Sequence, residues 1–317
     1  MRRRGRRPDL AARVGSLELR APVMTAAGTA GHGAELSAYL DLSELGAVVV
    51  KSLAWYPWPG NPAPRVAPAA CGMLNSVGLQ GPGIPAWLAG QLPALAATGA
   101  SVVASIWGRS VEDYARAAEM LFAAPGCVVA VEVNLSCPNL DDGREMFARS
   151  AEATAAAVAA ATACGRPVWA KLSPGVGQLA EVAGAALAAG AEALTLVNTL
   201  PATAIDPRSG EPVLGAGSGG LSGPALRPVA VKAIGECRAA HPAAGIAGAG
   251  GVFTGRDAAE MLAAGADAVQ VGTATFLDPR APARVLGGLR RWCERNGVDR
   301  LEQLGGRGGR GAPGAGR

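Results

Sequence analysis

The chain has 317 residues, half of them hydrophobic and 17% charged, with a net charge of +4 and a mean hydropathy of +0.23. That composition excludes disorder over most of the length and supplies apolar material for a large core. Five arginines fall in residues 1–8 and three in 305–317, with no acid in either segment, so residues 9–304 carry about −4 and a basic nucleic-acid-binding face is not expected.

No run of about 18 strongly apolar residues predicts a membrane span, and the basic N-terminus lacks the apolar centre of a secretory signal. The six cysteines, Cys71, Cys127, Cys137, Cys164, Cys237 and Cys293, form no C-x-x-C pair, and His32 and His241 are the two histidines. No metal site is therefore expected. Reduced thiols and a cytoplasmic location are expected instead, with the five cysteines other than Cys137 read as structural.

In chain order, short β-branched runs alternate with Ala/Leu-rich amphipathic stretches. Strands are predicted over 22–26, 47–51, 101–106, 128–133, 168–172, 193–197, 245–249 and 268–271. Helices are predicted over 36–45, 85–97, 111–123, 150–163, 178–189, 224–239, 256–264 and 281–294. Eight strand-then-helix units predict an α/β fold with parallel strands closed into a (β/α)8 TIM barrel. The phrases at 46–49, 190–194 and 265–269 each place a glycine between helix and strand, as a helix C-terminus requires. Residues 9–304 are read as one barrel domain, with 1–8 a basic disordered tail and 305–317 a Gly/Arg-rich one.

Two connections are extended, 52–101 after strand 2 and 198–245 after strand 6. Both leave the C-terminal ends of strands, where such barrels carry their sites, and long connections there are commonly functional. The turn D-P-R-S-G at 206–210 predicts a small hairpin tip.

The scarce residue types point to the same face. Of three lysines, Lys51 and Lys171 end strands 2 and 5, whereas Lys232 falls inside a predicted helix. Asn134 and Asn198 end strands 4 and 6, and Asn75 lies in the first long connection. An amide offers both donor and acceptor to a planar polar ligand. Cys137 follows strand 4 in a polar turn, N-L-S-C-P-N at 134–139, where a cysteine can act as nucleophile or general base. The pairs Gly250-Gly251 and Gly272-Thr273 follow strands 7 and 8. Glycine turns there admit a phosphate to backbone N–H groups, and a helix starting at Gly255 is expected to add its N-terminus.

Beyond these signals stand longer motifs: A-A-G-T-A-G (26–31), G-N-P-A-P-R (60–65), M-L-N-S-V-G-L-Q (73–80), K-L-S-P (171–174), V-N-T-L (197–200), G-G-L-S-G-P-A (219–225), G-A-G-G-V (248–252) and V-G-T-A (271–274). With N-L-S-C-P-N, in this order, they resemble the class 1 dihydroorotate dehydrogenases across about 22–278, and N-S-V-G-L-Q is most like the class 1B catalytic subunit. The resemblance implies oxidation of (S)-dihydroorotate to orotate in pyrimidine (UMP) biosynthesis, with hydride passing to FMN and a proton to a cysteine base, Cys137. It implies that Lys51 lies between flavin and substrate and that Lys171 contacts the flavin.

The same resemblance implies further flavin contacts from Ala27, Ser52, Ser105, Asn134, Val197, Gly223, Gly250, Gly251, Gly272 and Thr273. It puts the substrate on Lys51, Asn75, Ser76, Val77, Gly78, Leu79, Asn134, Asn198 and Thr199. Ala27 stands where the family often has Ser, and Ser105 where class 1B members often have Asn. Class 1B likeness implies a partner subunit carrying FAD and an iron–sulfur cluster that passes electrons to NAD, in a dimer or heterotetramer; class 1A likeness implies a homodimer using fumarate. Alternative readings are a dihydropyrimidine dehydrogenase, a dihydrouridine synthase, a Schiff-base aldolase using Lys171 and a non-catalytic phosphate-binding barrel.

Overall fold

The computed structural model describes residues 8–137, 146–175 and 177–308. Eight parallel strands form its centre: β3 (Val23–Thr25), β4 (Val48–Val49), β7 (Val102–Ile106), β8 (Val128–Asn134), β9 (Val168–Leu172), β10 (Ala193–Leu196), β13 (Gly245–Ala249) and β14 (Ala268–Val271). Their order is β3-β14-β13-β10-β9-β8-β7-β4. The ends of that order meet through Thr25, whose hydroxyl donates to the Val49 carbonyl at 3.2 Å and accepts from the Val49 N–H at 2.9 Å. A second bond runs from the Gly46 N–H to the Val23 carbonyl at 2.8 Å. The sheet is thus the expected (β/α)8 barrel, and every predicted strand is one of its staves.

The flanking helices are α1 (Ile84–Ala89), α2 (Gln91–Ala96), α3 (Val111–Phe122), α4 (Ala151–Ala161), α5 (Leu179–Ala188), α6 (Arg227–Ala240), α7 (Gly255–Ala264), α8 (Ala274–Leu277), α9 (Ala281–Asn296) and α10 (Glu302–Gly308). Side-chain caps start several of them: Ser110, Ser150 and Thr254 accept from the N–H groups of Asp113, Ala153 and Asp257, satisfying donors that have no partner inside the helix. Two predicted helices take other forms. Residues 85–97 break into α1 and α2 at Gly90, where Pro93 removes the N–H that would have bonded to the Ala89 carbonyl. Residues 36–45 form two short 3-10 turns, Glu35–Ala38 and Leu42–Glu44.

The hairpin of β1 (Ala12–Val14) and β2 (Leu17–Leu19) was not expected. Its Ala12, Val14 and Leu19 join an apolar cluster with Met24, Ala47, Val49, Val103, Ala130, Trp169 and Ala247. The hairpin therefore plugs the N-terminal end of the barrel. A larger cluster fills the space between sheet and helices.

The two extended connections meet one another. Strands β5 (Val66–Ala69) and β6 (Gly72–Asn75) from the first pair with β12 (Gly219–Ser222) and β11 (Leu200–Ala202) from the second. The result is a four-stranded antiparallel sheet, β11-β12-β6-β5, over the C-terminal mouth. The 206–210 turn closes as expected, with an antiparallel bridge between Ile205 and Pro212.

At the ends, Pro8 is buried and α10 runs to Gly308, four residues past the expected boundary at 304. No described helix is long and apolar enough to cross a membrane.

Candidate active site

A cleft of about 750 Å³ opens at the C-terminal mouth beneath the four-stranded sheet. It draws on every barrel strand, because each stave ends in a residue aimed at this rim. The connection after β3 contributes Ala27, and the one after β4 contributes Lys51 and Ser52. β8 contributes Asn134, β9 Lys171, and the segment after β10 Val197, Asn198 and Thr199. Gly250, Gly251, Gly272 and Thr273 complete the ring after β13 and β14, while Asn75 through Leu79 and Gly223 come from the overlying connections.

The amides form one chain of bonds. Asn198 Nδ2 donates to Asn134 Oδ1 at 3.1 Å and to Ser136 Oγ at 2.9 Å, and Asn134 Nδ2 donates to Ser52 Oγ at 3.2 Å. Ser52 in turn shares a 2.8 Å hydrogen bond with Ser105 Oγ. Ser105 is fully buried inside β7 and is not among the cleft-lining residues, so it reaches the cleft only through Ser52. The first extended connection is braced by Arg65, whose Nε donates to the Asn61 carbonyl at 2.6 Å. Asn61 Nδ2 donates to Ser76 Oγ at 2.9 Å. Leu79 holds a left-handed φ of 61° on the cleft wall, a conformation few residues with a Cβ adopt.

Lys51 is largely buried, and burial together with the neighbouring Arg65 charge lowers its pKa. Lys171 is 5% exposed and pairs with Glu132 at 3.2 Å. Lys232, by contrast, lies on the outer face of α6 with Glu236.

Cys137 is fully buried beside Ala54 and Trp107, with Tyr56, Trp58 and Leu79 packed against them. Its Sγ lies 3.5 Å from the Asn134 carbonyl. Burial pushes its pKa up to about 12, while a hydrogen bond with the Tyr114 hydroxyl pulls the other way. Its neighbours Asn134 and Ser136 line the cleft; the thiol itself points into the aromatic cluster. Pro138 and Asn139 lie outside the described residues.

The helix start at Gly255 does not serve this cleft. Asp257 already occupies it, accepting from the N–H groups of Phe253 and Thr254 at 3.0 and 2.8 Å and pairing with Arg227. A carboxylate there repels a second anion. The glycines just upstream line the cleft, and Gly251 is held to glycine by the fold itself, with φ 74° and a Cβ that would stand 2.6 Å from Arg227 Cβ. Cys71 is also exposed, in the β5–β6 turn, rather than part of the core.

Sequence reasoning missed the cations Arg109 and Arg149, the indole wall of Trp58 and Trp107, and Met73 and Ser222 on the overlying strands. Arg109 stands 5.0 Å over the Trp58 ring. The clustering of Trp and Pro at 55–64 was the one available signal.

A barrel with a polar, cationic cleft at its C-terminal mouth and glycine turns after the last two strands has the architecture of an α/β-barrel enzyme. The dihydroorotate dehydrogenase family model matches residues 9–292, and the chain belongs to that family. It is 42% identical over 299 residues to the catalytic subunit of dihydroorotate dehydrogenase B (NAD(+)) of Geotalea daltonii, covering 94% of this chain and 97% of that protein. The corresponding subunit of Desulforudis audaxviator is 45% identical over 292 residues, covering 92% and 94%. A protein of Solibacter usitatus, provisionally named a dihydroorotate dehydrogenase A (fumarate), is 44% identical over 301 residues, covering 94% and 97%.

Proposed function

We propose that this chain oxidises (S)-dihydroorotate to orotate as a class 1B catalytic subunit, with FMN bound in the C-terminal cleft. The convergence of Lys51, Lys171, Asn75, Asn134 and Asn198 on one cleft beside Cys137 carries the reading. Membership of a flavin-dependent family supports it.

The residues present fit FMN. Gly250, Gly251, Gly272 and Thr273 line the cleft after β13 and β14, where glycine turns offer backbone N–H groups to a phosphate. Lys171 places a cation at the cleft floor, and Ala27, Ser52 and Val197 line the wall between. When bound, the flavin supplies the hydride acceptor for the substrate C6.

The chain itself supplies orientation and proton transfer. Asn75, Asn134, Asn198 and Thr199 match a ring of alternating N–H and C=O groups, and Lys51 balances the substrate carboxylate. Cys137 Sγ takes the proton from C5, which requires a thiolate. In its apolar contact the sulfur is a thiol at neutral pH, so catalysis needs it turned towards Ser136 and Asn134 on the cleft wall.

Electrons then leave through a separate electron-transfer subunit with NAD as final acceptor, in line with the names of the class 1B relatives; that the subunit carries FAD and an iron–sulfur cluster rests on the family resemblance alone. The expected compartment is the cytoplasm.

The test is anaerobic addition of dihydroorotate to the purified chain. The expected result is a yellow protein that releases FMN on denaturation and bleaches with one equivalent of orotate formed. A colourless protein, or a flavin that dihydroorotate leaves oxidised, overturns the proposal. Adding NAD to the chain alone is expected to restore no colour, whereas rapid reoxidation by fumarate favours the class 1A reading.

A further inference from the structure

Below the cleft, inside the barrel, lies a carboxylate that the proposed reaction does not use. Glu132 is an inward-facing residue of β8 and is completely buried. A lone buried carboxylate costs so much that it neutralises unless it is paired and bonded. Here both oxygens are occupied. Oε1 takes Lys171 Nζ at 3.2 Å, and Oε2 takes the Thr195 hydroxyl at 2.9 Å and Gln270 Nε2 at 2.7 Å.

Glu132, Thr195 and Gln270 sit on β8, β10 and β14, alternate staves that in such a barrel share one layer of interior side chains. The layer is normally aliphatic, so a polar trio there needs a reason. The Gln270 amide shows how strongly the carboxylate organises it: Nε2 faces Glu132 while its own Oε1, buried, has no partner among the described residues. The amide gives up one hydrogen bond to make the other.

We propose that Glu132 is a positioning residue that holds the Lys171 ammonium and aims it into the cleft. One N–H of the ammonium goes to Glu132, leaving two for the cleft that Lys171 lines. Thr195 and Gln270 anchor the carboxylate from the far side, so it cannot swing up to the ligand. The other charged groups lining this cleft are cationic: Lys51, Arg109 and Arg149. Among the described residues, Glu132 is the one anion in ion-pair reach of Lys171. Without it, the Lys171 ammonium would face a cleft lined by Lys51, Arg109 and Arg149 with no anion in ion-pair reach among the described residues. An ammonium held at that point favours the electron-rich state of a ligand above it.

The proposal rests on the flavin reading for its consequence but not for its test. The chain has three lysines, so the full-length protein grown with lysine carrying 13C at Cε yields three side-chain signals. Lys171→Met assigns the relevant one. Glu132→Gln is expected to lower the titration midpoint of Lys171 by about one pH unit or more. Thr195→Val, which keeps the ion pair, is expected to leave that midpoint in place. Where flavin is retained, Glu132→Gln is also expected to make its reduction potential more negative, since the ammonium beside it is no longer held towards the cleft.

Should Glu132→Gln fail to fold, Glu132→Asp retracts the carboxylate by one methylene and is expected to produce a smaller shift of the same sign. An unchanged Lys171 midpoint in the folded Gln or Asp variant overturns the proposal. A shifted midpoint, where the unmutated chain itself binds no flavin, upholds it and sinks the flavin assignment instead.

Discussion

Cys137 concentrates the chemistry and its difficulty in one atom. Cys137→Ala is expected to keep flavin and lose about 10²–10⁴-fold in dihydroorotate oxidation, the usual contribution of a positioned general base; full activity would remove Cys137 from the mechanism. Because burial raises its pKa, the reactive thiolate is the minor form at neutral pH. The oxidation rate is therefore expected to climb with pH above neutral, and Cys137→Ser to retain part of the rate at still higher pH. A pH–rate profile flat from pH 6 to 9 would contradict this. The same position has a stability consequence of opposite sign. The folded state binds the thiol proton more tightly than the unfolded chain, so the stabilisation is whole below the ordinary thiol pKa and is lost as pH rises towards about 12. Between the two lysine classes the contrast is simpler: Lys171→Ala is expected to weaken flavin binding, whereas Lys232→Ala, on a solvated helix face, leaves the flavin-to-protein ratio unchanged.

At the scale of elements, the helix start at Gly255 shows how a local rule and its tertiary use diverge. The spacing Thr254 to Asp257 forms a reciprocal capping box, and that box fills the anion-binding end of α7 with the protein's own carboxylate. Thr254→Ala is expected to cost about 0.5–2 kcal/mol, read as a lower melting temperature, with flavin content unaltered. A loss of flavin in that variant would show that the α7 terminus does belong to the site. The hairpin tip at 206–210 was legible because its signal is local. The break at Gly90 was legible too, in the glycine and the proline three residues on, but the amphipathic pattern of 85–97 masked it.

At the scale of the whole molecule, the ends are the testable feature. Residues 8–308 are expected to retain flavin content and turnover when the terminal arginine-rich segments are removed. Ending the chain at Gly297 instead removes α10, whose Leu304 is 1% exposed in the main core beside α7. Burying a leucine is worth about 1.5–3 kcal/mol, so that shorter chain is expected to melt earlier. Equal melting temperatures for the two truncated chains would show that α10 adds nothing to the barrel.

The sequence by itself determined the eight staves, their parallel order and the ring of scarce residues at their ends. Each of these is written in short-range patterns: β-branched runs, glycines at helix ends, and lysines and asparagines where strands stop. Tertiary structure alone decided the rest. The two extended connections form one sheet because backbone hydrogen bonds between residues about 145 apart carry no sequence signature; Asn75 opposite Gly220 is such a pair. Ser105 became a support behind Ser52, and Cys137 a buried thiol, because side-chain direction depends on what packs alongside. Glu132 read as one more residue in a strand until three other staves brought a cation, a hydroxyl and an amide to its oxygens. Closing a sheet into a barrel makes neighbours of side chains that no periodicity relates.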